Sequence, residues 1–489
     1  MYLTELLNKI KVVQVIGTPS SLEVSGIEYD SRNIVNGSVF VAIKGFNTDG
    51  HLFIQDALNK EAIAIVVENT ESVPDSLITH HNAIKIVVND SRAVLAELSK
   101  AYYDNPSKKL RLIGITGTNG KTTSTYFLKN IFETSGYNVG LMGTISNYIG
   151  KEKIESRLTT PESNDINKFL NRMINSGCDI AVMEVSSHSL ALKRVYGLNF
   201  SIAVFTNITA EHLDFHGDFQ NYIEAKKILF DNLAVSSSAI FNSDDLHSVD
   251  IIKDCPALKY SFGTVSNSDF HIVNIKCDLS GTSFTIKYEN KEYNLKTSLV
   301  GDFNAYNAAG AFASAKLSGI QDEIISEGIL TTPQVPGRFE VLSNGTRKVV
   351  IDYSHTPDSL EKTLMVIRKI TEKKNPVYTV FGCGGNRDKL KRPLMGKIAT
   401  EMSDTVIVTS DNPRNENPVA IIDEIKSGIT TDNYHVIDDR EKAIEEAIKK
   451  SQKNSVILIA GKGHEDYQEI KGIRQHFSDR EVAKKILGI

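Results

Sequence analysis

The chain has 489 residues, a formal net charge of −5, 41% hydrophobic residues and 24% charged residues. That length is too great for one core and suggests about two to four domains, and the mild acidity gives no electrostatic case for nucleic acid as a main partner. No apolar run approaches the roughly 20 residues that span a bilayer. Residues 1–11 also lack the apolar core and cleavage site of a signal peptide, so a cytoplasmic chain without a membrane partner is expected.

Cys178, Cys255, Cys277 and Cys383 are far apart and form no C-x-x-C, so they read as reduced structural thiols. The first hundred residues alternate short apolar runs (37–43, 62–67, 84–88) with helical stretches, an α/β pattern. A helix over 91–103 runs into Asn105-Pro106, a boundary because the residue before proline is pushed out of the helical region. A second α/β segment starts with a strand at 110–115. Over 259–300 the pattern turns to short alternating runs, which predict antiparallel strands added to a parallel sheet. A small-residue helix at 304–317 and a linker at 331–337 follow. Five apolar strands then alternate with helices at 348–353, 377–382, 405–409, 434–437 and 455–460, the rhythm of a doubly wound, Rossmann-like sheet. Three α/β domains are expected: 1–106, 107–333 and 334–489.

The strand at 110–115 leads into Gly117, Thr118, Asn119, Gly120, Lys121, Thr122 and Thr123, with a helix starting near Thr122. Glycines let backbone N–H groups approach phosphate, and a helix N-terminus adds partial positive charge. Lys121 reaches toward outer phosphates and the Thr122 hydroxyl toward magnesium. The strict phosphate-loop pattern fails by one residue, since Ile115 stands where a glycine is required. Glu184 ends the apolar run D-I-A-V-M-E and so sits at a ligand crevice, where it could hold magnesium. His212, Asp214 and His216 follow another apolar strand, and His212 is read as metal-associated. On the next helix Tyr222, Lys226, Leu229, Phe230 and Leu233 form one stripe, with Lys227 on the water-facing side. Lys226 is then neutral, paired or modified, an uncharged amine being able to add carbon dioxide as a carbamate; or its head reaches solvent, the reading that spacing alone favours.

The motifs G-T-N-G-K-T-T, M-E-V-S-S-H-S-L, T-N-I-T-A-E-H-L-D-F-H-G, Y-I-E-A-K, G-D-F-N-A-Y-N-A-A, P-G-R-F-E and D-Y-S-H-T-P-D-S-L occur in that order over essentially the whole chain. Together they resemble the Mur ligase family. G-C-G-G-N-R-D-K-L-K-R-P and D-N-P-R narrow the resemblance to a member that adds meso-diaminopimelate. The resemblance implies an ATP-dependent ligase of peptidoglycan precursor synthesis, joining meso-diaminopimelate to the D-glutamate γ-carboxylate of UDP-N-acetylmuramoyl-L-alanyl-D-glutamate through an acyl phosphate. It implies a carbamate on Lys226 and magnesium organised by Thr122, Glu184, His212 and Lys226. It places Asn307, Arg338 and Asp352 at the nucleotide, and Tyr29, Ser31, Phe46, Asn47 and Thr48 on the uridine side. Thr159, Thr160, Ser186 and Arg194 fall around the muramoyl peptide, and Arg387, Gly461 and Glu465 at the amino acid. A monomer is expected. Two positions depart from the family pattern: Leu158 replaces an Asn, and Leu192 replaces a Gln.

Diaminopimelate differs from lysine by a carboxylate, which an arginine fork recognises. Arg414 of Asp411-Asn412-Pro413-Arg414 follows a strand and suits that task, with Asp411 and Asn412 for the ammonium. The proton leaving the amine goes to His212 or His355. Two rivals remain: a sister ligase, such as a folylpolyglutamate synthase or the lysine-adding muramyl ligase, and a nucleotide-driven switch. D-N-P-R speaks against the first, and a third α/β domain against the second.

Overall fold

The structure is a computed structural model that describes residues 1–45, 48–372 and 374–489; Phe46 and Asn47, expected on the uridine side, lie outside the described residues. The chain forms two compact units, residues 1–271 with 309–325, and residues 272–308 with 326–489.

The first unit begins with strands β1 (Gln14–Ile16), β2 (Gly26–Glu28), β3 (Ser38–Val41), β4 (Ala64–Val67) and β5 (Ile84–Val87). They lie in the order β1-β5-β4-β3-β2, with β2 to β5 parallel and β1 antiparallel at the edge. β3, β4 and β5 are buried at every position, as strands covered on both faces are. Alternate residues feed two apolar layers: Val39, Val66 and Ile86 pack on Leu95 and Leu98, while Phe40 and Ile65 pack on Ile54, Leu58 and Ile78.

A larger sheet follows, built from β6 (Arg111–Thr116), β7 (Val139–Met142), β8 (Ser146–Ile149), β9 (Glu152–Glu155), β10 (Ile180–Glu184), β11 (Ile202–Phe205), β12 (Ser238–Asn242) and β13 (Leu258–Gly263). Their order is β13-β12-β11-β6-β10-β7-β8-β9; the span from β13 to β7 is parallel and β8 and β9 are antiparallel. Register sets Glu184 opposite Ile115, Met183 opposite Met142 and Phe205 opposite Thr116. The segments after β6, β7, β10 and β11 therefore leave one edge together.

β14 (Phe270–Asp278) starts parallel to β13. The antiparallel expectation over 259–300 therefore fails for β13 and for the start of β14; it holds for β15 (Gly281–Tyr288) with β16 (Lys291–Thr297) in the second unit. Alternating exposure reports one wet face, not strand direction.

The second unit also holds β17 (Glu340–Ser343), β18 (Lys348–Asp352), β19 (Val377–Phe381), β20 (Thr405–Val408), β21 (Tyr434–Val436) and β22 (Val456–Ala460), ordered β17-β18-β22-β19-β20-β21. All but β17 run parallel. Asp352 lies opposite Ala460, and Phe381 opposite Val408, so the loops S-H-T-P, G-C-G-G, D-N-P-R and G-K-G-H-E emerge at one edge, where open α/β sheets bind ligands. β17 and the hairpin β23 (Tyr467–Ile470) with β24 (Ile473–His476) were not expected; β24 is exposed throughout and carries no apolar period.

Arg440 and Asp479 start the helices Arg440–Lys450 and Asp479–Leu487. Both side chains are fully buried, with Arg440 Nε donating to Asp479 Oδ1 at 2.7 Å and Nη2 to Oδ2 at 2.8 Å. Nη2 also donates to the Ala460 carbonyl at 3.0 Å, tying both helices to the end of β22. Asp479→Ala leaves a buried guanidinium without its carboxylate and is expected to cost about 3–5 kcal/mol in urea denaturation; a loss under about 1 kcal/mol contradicts this account of the pair.

Candidate active site

The loop after β6 is shaped by close backbone approach. Gly117 has φ +149°, and a Cβ there would lie 1.9 Å from Thr206 Oγ1. Gly120 has φ +88° and caps the helix Lys121–Thr134. Asn119 N–H donates to Asn207 Oδ1 at 2.9 Å, and Thr206 Oγ1 donates to the Asn119 carbonyl at 2.6 Å, so the segment after β11 braces the loop. Lys121 folds back, its ammonium donating to the carbonyls of Gly117 at 2.7 Å and Thr118 at 2.9 Å. Thr123 is buried behind it. The glycine absent at Ile115 is not needed, because Ile115 is still inside β6 and fully buried.

Glu184 ends β10 with 1% of its surface exposed. The hydroxyls of Thr122 and Thr144 each lie 3.0 Å from Oε2 as donors, and Thr144 N–H donates to Oε1 at 2.8 Å. A Cβ at Gly143 would come within 2.5 Å of Oε1, so glycine makes room for the carboxylate. Thr122 and Glu184 thus meet as expected. Thr144 was not singled out from sequence, since only the sheet pairing of β7 with β10 reveals it.

A second group stands on the segment after β11. His212 caps the short helix Leu213–His216 in a left-handed conformation, φ +58°. Its ring centroid is 4.8 Å from His188 and 6.3 Å from Tyr222. Tyr222 OH lies 3.0 Å from Thr118 Oγ1. Lys226 Nζ lies 4.5 Å from the Tyr222 ring centroid, and Lys226 is 1% exposed, so its head is not in solvent. Burial first, then the Lys121 charge, drives the Lys226 ammonium well below its ordinary range, while Glu211 opposes this. Burial likewise lowers His212. Lys227, expected to face water, is covered: its ammonium sits 2.6 Å from Asp231 and 2.7 Å from Asp254, the latter beyond the helix and invisible to its periodicity. Asp214 is exposed, and His216 Nε2 lies 3.0 Å from Ser187 Oγ. His188, held near 4 chiefly by burial, was overlooked inside M-E-V-S-S-H-S-L, where a single His carries no periodic signal.

The muramoyl-side residues adjoin Glu184. Thr159 Oγ1 lies 3.1 Å from Thr144 Oγ1, and Thr160 Oγ1 donates to the Glu184 carbonyl at 2.8 Å. Ser186 N–H donates to Thr160 Oγ1 at 3.1 Å, and Arg194 Nη1 to the Thr160 carbonyl at 3.1 Å. Leu158 is 45% exposed and Leu192 half-buried. On the uridine side, Tyr29 OH donates to Asp165 Oδ2 at 2.7 Å, Ser31 is buried and Thr48 exposed.

Within the second unit, Asn307 donates to Asn304 Oδ1 at 3.0 Å. The Arg338 guanidinium carbon is 5.0 Å from the Tyr353 ring centroid, and its Nε is buried with no hydrogen-bond partner among the described residues. Asp352 Oδ2 accepts the Phe339 N–H at 2.8 Å. His355 Nδ1 lies 2.8 Å from the Tyr353 carbonyl, so that nitrogen carries the hydrogen.

The amino-acid candidates converge at the edge of the third sheet. A Cβ on Gly385 would lie 2.0 Å from the Pro413 carbonyl, so G-C-G-G packs directly on D-N-P-R. Arg414, at φ +50°, donates from Nη1 to the Gly385 carbonyl at 2.9 Å. Gly461, at φ +114°, lets Asp411 approach, since a Cβ would meet Asp411 Oδ2 at 2.6 Å. Asn412 Nδ2 donates to Glu465 Oε2 at 2.8 Å. Arg387 is exposed on the same loop as Gly385. No helix among the described residues is long and apolar enough to cross a membrane.

Comparison with known proteins matches this arrangement from end to end. Three family models match most of the chain: "Mur ligase family, catalytic domain" over 23–103, "Mur ligase middle domain" over 115–315 and "Mur ligase, glutamate ligase domain" over 337–463. UDP-N-acetylmuramoyl-L-alanyl-D-glutamate--2,6-diaminopimelate ligase 1 of Clostridium acetobutylicum is 44% identical, over 100% of this chain and 99% of the relative. The ligase of that name from Phocaeicola vulgatus is 43% identical over 99% of each. A solved structure of such a ligase aligns with TM-score 0.71 and 30% identity, over 100% of this chain and 99% of the other. The Thermotoga maritima MurF ligase solved with ADP aligns with TM-score 0.62 at 19% identity over 96% and 99%, which bears on the fold alone. The expected α/β class, with its phosphate-loop sheet and its doubly wound sheet, is the fold of these relatives. With full-length identity of this order on top of that shared architecture, the chain belongs to the Mur ligase family.

Proposed function

We propose that the chain uses ATP to join meso-diaminopimelate to the D-glutamate γ-carboxylate of UDP-N-acetylmuramoyl-L-alanyl-D-glutamate, a cytoplasmic step of peptidoglycan precursor and cell-wall synthesis. The observation that carries this reading is the gathering of Asp411, Arg414, Gly461 and Glu465 at one sheet edge, in a chain whose full-length relatives bear the name of that ligase. In this reading residues 1–106 hold the UDP end, 107–333 hold ATP and 334–489 bring the amino acid, within a monomer. Tyr29, Ser31 and Thr48 serve the uridine side, and Thr159, Thr160, Ser186 and Arg194 the muramoyl peptide. Gly117 to Thr123 take the nucleotide phosphates; Asn307, Arg338 and Asp352 are nucleotide contacts by family resemblance, and the unpartnered Arg338 Nε suits an oxygen-rich ligand.

The residues under the phosphate loop fit magnesium. Thr122 Oγ1 and Glu184 Oε2 converge to 3.0 Å, and magnesium takes oxygen ligands, few of them from protein when phosphates are present. Among the described residues no group of three or more His, Cys, Asp or Glu is arranged for a metal; in this reading substrate oxygens, His212 and a modified Lys226 complete the set. Bound there, magnesium supplies positive charge to the phosphate oxygens.

Lys226 suits carbamylation for a physical reason. Burial favours its neutral amine, the form that adds carbon dioxide. The N–C bond forms, one proton leaves, and the neighbouring Lys121 charge offsets the resulting anion. Lys121 gives up two backbone carbonyls to reach the γ-phosphate. The γ-carboxylate attacks that phosphorus, ADP departs, and an acyl phosphate remains. The loop N–H groups and Lys121 spread the charge of this transfer. The diaminopimelate amine then attacks the acyl carbon and phosphate leaves. In this reading the amine proton goes to His212, whose neutral form desolvation favours, or to His355, whose Nδ1 is engaged by the Tyr353 carbonyl and leaves Nε2 for the substrate side.

Phosphate release is the direct assay. It is expected to require the UDP-muramoyl dipeptide and diaminopimelate, with lysine at least ~100-fold poorer in kcat/KM; equal rates remove the specificity reading, and release without any amine removes the ligase reading. Arg414→Lys is expected to raise KM for diaminopimelate about 10–100-fold, more than it lowers kcat, because a point charge replaces a fork; an unchanged KM contradicts this. Lys226→Ala is expected to lower kcat by about 100-fold or more and to recover in part with added short carboxylic acids; full activity, or loss that no acid restores, contradicts the carbamate.

A further inference from the structure

Lys462 follows Gly461 at the end of β22, has no exposed surface, and takes no part in the chemistry described above. Its ammonium donates to Asn412 Oδ1 at 3.0 Å and lies 3.6 Å from Glu465 and 4.0 Å from Asp411. The Glu469 N–H also reaches Asn412 Oδ1, at 3.0 Å. Both groups are donors only, so the atom they share is the amide oxygen, and the orientation of Asn412 follows from chemistry. The other end, Nδ2, is thereby turned onto Glu465 Oε2 at 2.8 Å. Lys462 therefore steers Glu465 both directly and through Asn412.

Charge adds to this geometry. The side chains of Asp411 and Glu465 are 9% and 17% exposed. So little water disfavours a carboxylate charge unless a cation lies beside it. Burial raises the Glu465 carboxyl, and Lys462 is the strongest influence pulling it back down. Burial lowers Lys462 itself, with Asp411 and Glu465 opposing this, so the ammonium and its carboxylates depend on one another; removing the ammonium leaves a buried Glu465 that favours a proton.

We propose that Lys462 is a positioning residue for amino-acid selection: directly and through Asn412, it aims Glu465 to receive the second ammonium of a diamino diacid. The inference rests on the amino-acid reading of this pocket. It separates the tasks at the sheet edge, with Arg414 for the distal carboxylate and the Lys462–Asn412–Glu465 relay for the distal ammonium.

The test compares meso-diaminopimelate with 2-aminopimelate, the same dicarboxylate skeleton without the second amine, in the full-length chain and in Lys462→Met and Lys462→Gln. The wild type is expected to favour diaminopimelate by at least ~10-fold in kcat/KM. Both variants are expected to bring that ratio to within about 3-fold, mainly through KM for diaminopimelate, while KM for ATP stays within about 3-fold. The glutamine variant keeps a donor for Asn412 without the charge, and it decides the matter if the methionine variant does not fold. A preserved ratio, with both diacids weakened equally, means a structural role only and overturns the inference. A wild-type chain without diaminopimelate-dependent turnover overturns the ligase reading, and this inference with it.

Discussion

Glu184 has 1% of its surface exposed and accepts hydrogen bonds from Thr122, at the start of the phosphate-loop helix, and from Thr144, after β7. Its own carbonyl accepts from Thr160. One buried carboxylate therefore registers three segments: the nucleotide loop, the neighbouring strand end and the threonines expected at the muramoyl peptide. A buried charge with this many donors tolerates little displacement. The glycines around it follow from the same constraint, since side chains at Gly117 or Gly143 would occupy the space that Thr206 and Glu184 take.

Cations gather beside the phosphate loop. Burial and then the Lys121 charge disfavour an ammonium at Lys226, and desolvation, helped by Lys121 and Lys226, lowers His212. Such a group is poorly satisfied alone and well satisfied by a polyphosphate, by a carbamate, or by both. The second unit repeats the logic with different chemistry. There Lys462 and Arg414 are set among Asp411, Glu465 and Glu469, a mixture of signs suited to a zwitterion and not to a phosphate.

Much of this was legible in the sequence because strand ends are marked by where apolar runs stop. Glu184 and D-N-P-R each follow such a run, and both stand at the carboxyl edges of parallel strands. Partnerships across a sheet were not legible. Thr144 reaches Glu184 only because β7 lies beside β10, and Asp254 covers Lys227 from outside its helix. Helical spacing put Lys226 on the apolar stripe but favoured a head in solvent; packing overturns that and buries it. β17, β23 and β24 escaped because their residues carry no apolar alternation, and the parallel sense of β13 escaped because alternation is blind to direction. Lys462 went unread for a related reason: beside Gly461, one lysine in a polar loop gives no sign that it is sealed from water.

The central claim is that this assembly activates a carboxylate by phosphorylating it before the amide forms. Isotope transfer tests that directly. With 18O in the D-glutamate γ-carboxylate of the UDP-muramoyl dipeptide, and diaminopimelate and ATP supplied, the released inorganic phosphate is expected to carry one 18O per amide bond made, because the oxygen that attacks phosphorus leaves with it. Phosphate free of label, alongside amide product, would contradict the acyl phosphate and with it the role given to Lys121 and the loop.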